Sequence, residues 1–92
     1  MKYKIIIEQE AINDLLNIKS YISTDSVKRA NDFISQLKST INTLDTMPQR
    51  CRKSLYTKSD NTYDIIHKGY TIVYKIIENT VYILTIFKRR NY

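Results

Sequence analysis

The spacing of hydrophobic residues changes along the chain, and each spacing predicts a different secondary structure. Between residues 11 and 44, apolar residues recur every three to four positions, as on one face of an amphipathic helix. β-Branched and aromatic residues instead fill short runs at 3–7, 62–67 and 70–87, which is typical of strands. The pattern therefore predicts an α+β fold with the element order β-α-α-β-β-β.

Two helices are predicted in the first half of the chain. The first begins near Glu8 and ends near Ser23, and a second, longer helix follows the turn, with Pro48 marking its stop. Their apolar stripes consist of Ala11, Leu15, Ile18 and Ile22, flanked by Ile12 and Leu16, and of Ala30, Phe33, Leu37, Ile41 and Leu44, with Val27 and Ile34 beside them. The polar turn between the helices supplies N-cap residues. So short a turn predicts an antiparallel helix hairpin whose apolar face needs a sheet to cover it.

The strongest β-hairpin signal is a pair of apolar runs that flank the polar residues Glu78 and Asn79. Adjacent Ile72 and Val73 point to opposite faces of the first run and are both apolar, which predicts a central strand covered on both faces. Gly69, directly before this run, predicts a tight turn with positive φ. We therefore expect the helix hairpin to pack on a small, mainly antiparallel sheet.

Length and composition indicate one small domain spanning residues 1–92. Cys51 is the only cysteine, so no intramolecular disulfide forms, and no apolar run is long enough to span a bilayer. We therefore expect a cytoplasmic protein with no membrane partner. Because glycine-rich phosphate loops and the CxxC and HExxH metal motifs do not occur, no cofactor and no metal site are expected.

Positive charge is concentrated in the second half of the chain. Residues 1–48 contain six Lys or Arg and six Asp or Glu, whereas residues 49–92 contain nine and three, so the second half carries the whole net charge of +6. The basic segment 49–58 lacks periodicity, which predicts a loop. Such a polarised charge favours a polyanionic partner, either nucleic acid or an acidic protein segment. A solvated basic surface without a specific partner is the alternative.

The cations and aromatic rings of the second half also suit RNA cleavage without a metal. That reaction needs a base for the 2′-hydroxyl, an acid for the leaving oxygen, and cations that stabilise the transition state. His67 and Tyr92 are the candidates for acid–base chemistry, although a lysine whose pKa is lowered by neighbouring cations is an alternative. The cations are Arg50, Arg52, Lys53, Lys68, Lys88, Arg89 and Arg90, and the other rings are Tyr56, Tyr63 and Tyr70.

Five short motifs follow one another along nearly the whole chain. They are Ala11-xx-Asp14-Leu15-xx-Ile18-xx-Tyr21-Ile22, Ala30-xx-Phe33, Met47-Pro48-xx-Cys51-Arg52, Gly69-Tyr70-Thr71-Ile72-Val73-Tyr74 and Ile86-Phe87-Lys88-Arg89-Arg90-Asn91-Tyr92. In this order they resemble the RelE/ParE superfamily of type II toxin–antitoxin toxins. The family fold, two N-terminal helices against a mainly antiparallel sheet, agrees with the order predicted from periodicity. The resemblance implies a growth-inhibiting toxin that a cognate antitoxin neutralises.

Two activities occur in this superfamily, and the motifs leave both open. RelE-like toxins cleave mRNA on the ribosome, and the ending with Arg89, Arg90 and Tyr92 resembles theirs, which slightly favours a metal-independent endoribonuclease. ParE-like toxins instead bind and inhibit DNA gyrase, and the helix around Asp14 is more similar to theirs. A degenerate toxin that retains only antitoxin binding is the third possibility.

The endoribonuclease hypothesis assigns a role to each candidate residue. Its catalytic residues are Arg89, Arg90, Tyr92 and His67, and its RNA-binding residues are Arg50, Arg52, Lys53, Lys68 and Lys88. The expected partners are then the ribosome and mRNA, besides the antitoxin. On the gyrase hypothesis the same basic residues would instead contribute a docking surface for a protein.

Overall fold

The protein consists of two helices packed against a mixed five-stranded sheet in the computed structural model, which describes residues 2–54 and 60–88. Its elements are β1 (Lys4–Ile7), α1 (Gln9–Ser23), α2 (Val27–Asn42), two 3₁₀ turns (Thr43–Asp45 and Pro48–Arg50), β2 (Arg52–Lys53), β3 (Thr62–His67), β4 (Tyr70–Ile77) and β5 (Thr80–Lys88). The strand order is β1-β5-β4-β3-β2, in which β1 runs parallel to β5 and the other neighbours are antiparallel. The α+β fold expected from the sequence is confirmed.

Both predicted helices form, with bounds close to those expected. α1 begins directly after Glu8, and α2 ends at Asn42, so that Leu44 lies in the following 3₁₀ turn. The N-cap of α2 is Ser26, whose hydroxyl oxygen accepts a 3.2 Å hydrogen bond from the backbone N–H of Arg29. This bond satisfies one of the free N–H groups of the first turn and fixes the start of α2.

The basic segment predicted as a loop contains a short strand. Arg52 and Lys53 form β2, which pairs antiparallel with Asp64 and Tyr63 of β3. The loop prediction is wrong at these two positions, because a two-residue strand is too short to show alternation and depends on its pairing with β3. Residues 55–58 of the predicted loop lie outside the described residues.

The helix stripes and the central strands form one hydrophobic core. Leu37 of α2 and Tyr74 of β4 are fully buried in it. Three residues predicted beside the stripes are instead exposed, Ile12 by 38%, Leu16 by 60% and Val27 by 63%. Consecutive helical residues point roughly 100° apart, so Leu16 turns towards solvent when Leu15 faces the core.

The β3–β4 hairpin ends in a two-residue turn with unusual backbone angles. Lys68 and Gly69 both have positive φ, 47° and 85°, which suits the tight turns that join twisted antiparallel strands. The turn predicted from Gly69 is therefore present. It carries Lys68 to the same end of the sheet as Lys88, which lies opposite Tyr70 on β4.

Hydrogen bonds join α1 to β5 near an irregularity in the pairing of β4 and β5. The register of the two strands shifts between Val73 and Tyr74. Near this shift, the backbone N–H of Ile86 and the hydroxyl of Thr85 donate to Oδ2 of Asp14, at 2.9 and 2.8 Å. β1 pairs with β5 only as far as Ile83, and a strand N–H beyond the end of the neighbouring strand needs another acceptor. Asp14 supplies it and thereby fixes α1 against β5.

Candidate functional site

Arg50 lies just after the helical region, where its guanidinium group binds the protein's own backbone. Its Nη1 atom donates to the carbonyl oxygens of Thr43, Thr46 and Met47 at 3.3, 2.8 and 3.3 Å. Its Nη2 atom donates to the Thr43 hydroxyl at 2.8 Å. Carbonyl groups beyond a helix end lack helical partners, so these bonds stabilise the segment between α2 and β2. A residue predicted to bind RNA thus has its donors engaged in a structural role.

Arg52 and Lys53 project from β2 and also have partners within the protein. Nη2 of Arg52 lies 3.7 Å from Oδ2 of Asp64, whose side chain is fully buried. Nζ of Lys53 donates to the carbonyl oxygen of Asp60 and lies 4.7 Å from the centre of the Tyr63 ring. A buried carboxylate is costly without a nearby cation, so Arg52 contributes to the stability of the fold.

His67 lies beneath α2 and not beside the basic residues of β2. Its Nδ1 atom is 3.1 Å from the hydroxyl oxygen of Thr40, and its ring centre is 5.9 Å from that of Phe33. Its Nε2 atom is buried and has no hydrogen-bond partner in the part of the chain that the structure describes. A general acid or base must reach the reacting proton directly or through one water. Nδ1 is hydrogen-bonded and Nε2 is buried, so neither ring nitrogen of His67 has open access to a substrate. The catalytic role of His67 stays a prediction.

Lys68 and Lys88, the other described cations of the predicted set, border a surface groove of about 500 Å³. This basic groove is lined by Ile22, Arg29, Asp32, Phe33, Gln36, Lys68, Tyr70 and Lys88. Phe33 and Tyr70 are half-buried and pack against each other, with ring centres 5.3 Å apart and ring planes tilted by 55°. The groove therefore combines an aromatic pair with cations contributed by α2, the β3–β4 turn and β5.

The predicted RNA-binding cations fall into two separate groups. Arg52 lies opposite Asp64 at the β2 edge of the sheet, whereas Lys88 lies opposite Tyr70 on β5. Three strand spacings separate β2 from β5, which is roughly 14 Å. The predicted catalytic residues Arg89, Arg90 and Tyr92 lie outside the described residues. The described cations therefore do not converge on one point.

Sequence comparison relates the chain to a known family. A model of the ParE toxin of the type II toxin–antitoxin system parDE matches residues 5–92. The chain belongs to this family. It is therefore a type II toxin of the ParE/RelE superfamily, as its motifs predict. No curated protein sequence matches the chain.

Solved structures share the fold of this ParE-family toxin at low sequence identity. A chromosomal ParDE system from P. aeruginosa matches with a TM-score of 0.81 and 11% identity, over 97% of this chain and 98% of that one. The RelBE2 toxin–antitoxin complex from Mycobacterium tuberculosis matches with a TM-score of 0.71 and 21% identity, over 97% and 100%. A mutant of the E. coli toxin RelE in the free state matches with 0.69 and 18%, over 96% and 84%. Both branches of the superfamily thus share this fold.

A second, smaller groove lies elsewhere on the toxin and is mainly apolar. It has a volume of about 260 Å³ and is lined by Ile7, Ile12, Leu15, Leu16, Lys19, Ile34 and Lys38. Over residues 2–54 and 60–88, no three His, Cys, Asp or Glu side chains come together as a metal site. Within the same ranges, no helix is long and apolar enough to cross a membrane.

Arg29, Phe33 and Gln36 are groove residues that the sequence prediction did not select as functional. They follow one another at spacings of four and three, which places them on one face of α2. That spacing is the signal that could have grouped them. This spacing does not reveal that the three residues lie near Lys68 and Lys88, because their proximity depends on how α2 crosses the end of the sheet.

Tyr74, from the motif that begins at Gly69, is buried beside the 3₁₀ turn that precedes β2. Its hydroxyl donates a 2.6 Å hydrogen bond to the carbonyl oxygen of Pro48. Burial raises the pKa of the Tyr74 phenol well above its ordinary value, and a hydrogen bond with Cys51 acts in the same direction. A phenol that stays neutral remains a hydrogen-bond donor, so Tyr74 anchors the turn and does not act as an ionised group.

Proposed function

We propose that this toxin arrests bacterial growth by binding and inhibiting DNA gyrase, and that a cognate antitoxin neutralises it. The observation that supports this function is the arrangement of the described cations. Arg50, Arg52 and Lys53 are engaged with the protein itself, while Lys68 and Lys88 border a separate groove. This arrangement suits recognition by a surface better than catalysis at one phosphate.

Metal-free RNA cleavage makes demands that the described residues do not meet together. An acid, a base and cations must all lie within reach of a single scissile phosphate. To bind that phosphate, Arg52 would have to give up its 3.7 Å ion pair with the buried carboxylate of Asp64. Arg50 would have to give up its bonds to backbone carbonyls.

A protein-binding function agrees with the family and with the role of Asp14. The motif around Asp14 resembles ParE-like toxins, and its carboxylate joins α1 to β5 through Thr85 and Ile86. This contact supports a rigid surface formed by helices and sheet together. A rigid surface loses little conformational entropy when it binds a partner.

The second candidate function is ribosome-dependent mRNA cleavage. It is favoured by the sequence Arg89, Arg90 and Tyr92 directly after β5, which resembles the ending of RelE-like toxins. On this hypothesis Arg89 and Arg90 hold the scissile phosphate, and Tyr92 stacks on or activates the substrate. Replacing the two arginines would then abolish cleavage.

Two assays on the purified toxin separate the candidates. The first measures supercoiling of relaxed plasmid by gyrase without ribosomes, and the second maps cuts in translated mRNA by primer extension. We expect inhibited supercoiling and intact mRNA from the wild-type toxin. Cuts that require translation and disappear in Arg89→Ala/Arg90→Ala, with supercoiling unaffected, would contradict gyrase inhibition. Inactivity in both assays, with antitoxin binding retained, would identify a degenerate toxin.

A further inference from the structure

The cations of the basic groove come from three parts of the fold that are distant in sequence. α2 contributes Arg29, Phe33 and Gln36 from one helical face. The sheet contributes Lys68 from the β3–β4 turn and Lys88 from the end of β5. The groove volume of about 500 Å³ lies within the range of sites that enclose several side chains or a small ligand.

Among the described residues that line this groove, three cations outnumber one carboxylate. Arg29, Lys68 and Lys88 are exposed, and none of them forms an ion pair with another described residue. The carboxylate of Asp32 also borders the groove, but it lies 3.6 Å from the ammonium group of Lys28. An excess of cations at one site attracts an anionic partner and increases its rate of association.

The other lining residues favour a protein segment over a nucleic acid. Phe33 and Tyr70 pack on each other with ring centres 5.3 Å apart and form an apolar surface in the groove. Ile22 and the aromatic pair offer an apolar contact, and Gln36 can exchange hydrogen bonds with a peptide.

We infer that the basic groove docks an acidic segment of the toxin's protein target, with an apolar side chain of that segment against Phe33 and Tyr70. This inference rests on the proposed inhibition of gyrase, which supplies the target. Carboxylates of the segment bind Arg29, Lys68 and Lys88. The groove therefore determines which face of the toxin meets the target.

Charge reversal at two rim positions tests the docking site. The groove variant is Lys68→Glu/Lys88→Glu, and the matched control is Lys19→Glu/Lys38→Glu, which makes the same change of charge beside the apolar groove. All four side chains are exposed, and glutamate is compatible with the positive φ at Lys68 because Glu78 has a φ of 54° in the next turn. Circular dichroism checks that each variant is folded, and a neutral Lys68→Gln/Lys88→Gln variant gives a milder change.

The readouts are binding to immobilised gyrase, inhibition of supercoiling, cleavage of translated mRNA, and binding to the antitoxin. We expect the groove variant to need about tenfold more toxin for half-inhibition, with an intermediate value for the neutral variant. Wild-type binding to gyrase should weaken as salt increases, whereas the groove variant should lose most of this dependence. The control variant should inhibit like the wild type, and all variants should bind antitoxin.

Each other result overturns the inference in a distinguishable way. If the wild type inhibits gyrase and the groove variant inhibits equally well, the docking site is wrong and the proposed function stands. If only the control variant loses inhibition, the target binds beside the apolar groove. If the groove variant loses only antitoxin binding, the antitoxin occupies the groove. If it loses mRNA cleavage, the groove binds a nucleic acid. A wild type without effect on gyrase would overturn the proposed function and the inference together.

Discussion

Tyr74 shows how a single side chain links the centre of the sheet to the segment before β2. Its ring is fully buried, and its hydroxyl bonds the carbonyl oxygen of Pro48. A buried carbonyl that loses its donor costs about 1–3 kcal/mol, because no water replaces the lost hydrogen bond. The hydroxyl of Tyr74 therefore contributes to stability separately from the packing of its ring.

The substitution Tyr74→Phe tests this contribution at two levels. At pH 7 we expect the variant to be less stable by about 1–3 kcal/mol in a denaturant titration. Above pH 10 an unfolded tyrosine releases its proton, whereas the raised pKa of Tyr74 keeps the folded phenol neutral. The folded state then binds more protons, so the wild type loses about 1.4 kcal/mol of stability per pH unit from this residue.

The variant lacks this group, so the stability difference between wild type and Tyr74→Phe should narrow as the pH rises above 10. The other tyrosines and the lysines titrate in both proteins and cancel in the comparison. A difference that stays constant from pH 7 to pH 11 would show that the Tyr74 phenol ionises as readily in the folded state as in the unfolded one.

Residue types are readable from the sequence, but the partners of a side chain are not. The cationic character of Arg50 and the acid–base capacity of His67 made both of them candidates for RNA chemistry. In the structure Arg50 binds carbonyl oxygens beyond α2, and His67 packs against Thr40 and Phe33. These contacts depend on how helices and strands are placed, which local spacing does not determine.

The second helix offers a direct test of the register that its hydrophobic stripe predicts. Leu37 is fully buried, whereas the neighbouring Lys38 is exposed. We expect Leu37→Ala to reduce the free energy of unfolding by about 2–5 kcal/mol, the range for removing a buried leucine side chain. Lys38→Ala is the control and should change stability by less than about 0.5 kcal/mol. Equal stability of the two variants would place Leu37 outside the core.

At the scale of elements, long periodic segments and short runs of β-branched and aromatic residues are predictable, whereas a two-residue strand and a long-range contact are not. α1 and α2 each show several turns of apolar spacing, so both were found with nearly correct bounds. β2 has only two residues, and no pattern can form in them. The hydrogen bond from the Ile86 N–H to Asp14 is also invisible in the sequence, because the two residues lie 72 positions apart.

Charged residues are grouped differently in the folded molecule than along the sequence. The second half carries the net charge of +6, which correctly suggested a basic surface on that half. The fold then separates Arg52 at one edge of the sheet from Lys68 and Lys88. It also adds Arg29 from the neutral first half to the basic groove. The proposal of a protein partner rests on this arrangement of charged residues, which is visible only in three dimensions.

The most direct test of the proposed function compares DNA topology and mRNA integrity in one culture. The toxin is induced in growing bacteria that carry a reporter plasmid, with a parallel culture that also expresses the antitoxin. Plasmid supercoiling is read on chloroquine gels, and mRNA 5′ ends are mapped in the same samples. Gyrase inhibition predicts growth arrest with relaxed plasmid and unchanged mRNA ends, reversed by the antitoxin. Growth arrest with new 5′ ends inside translated regions and normal plasmid topology would contradict it.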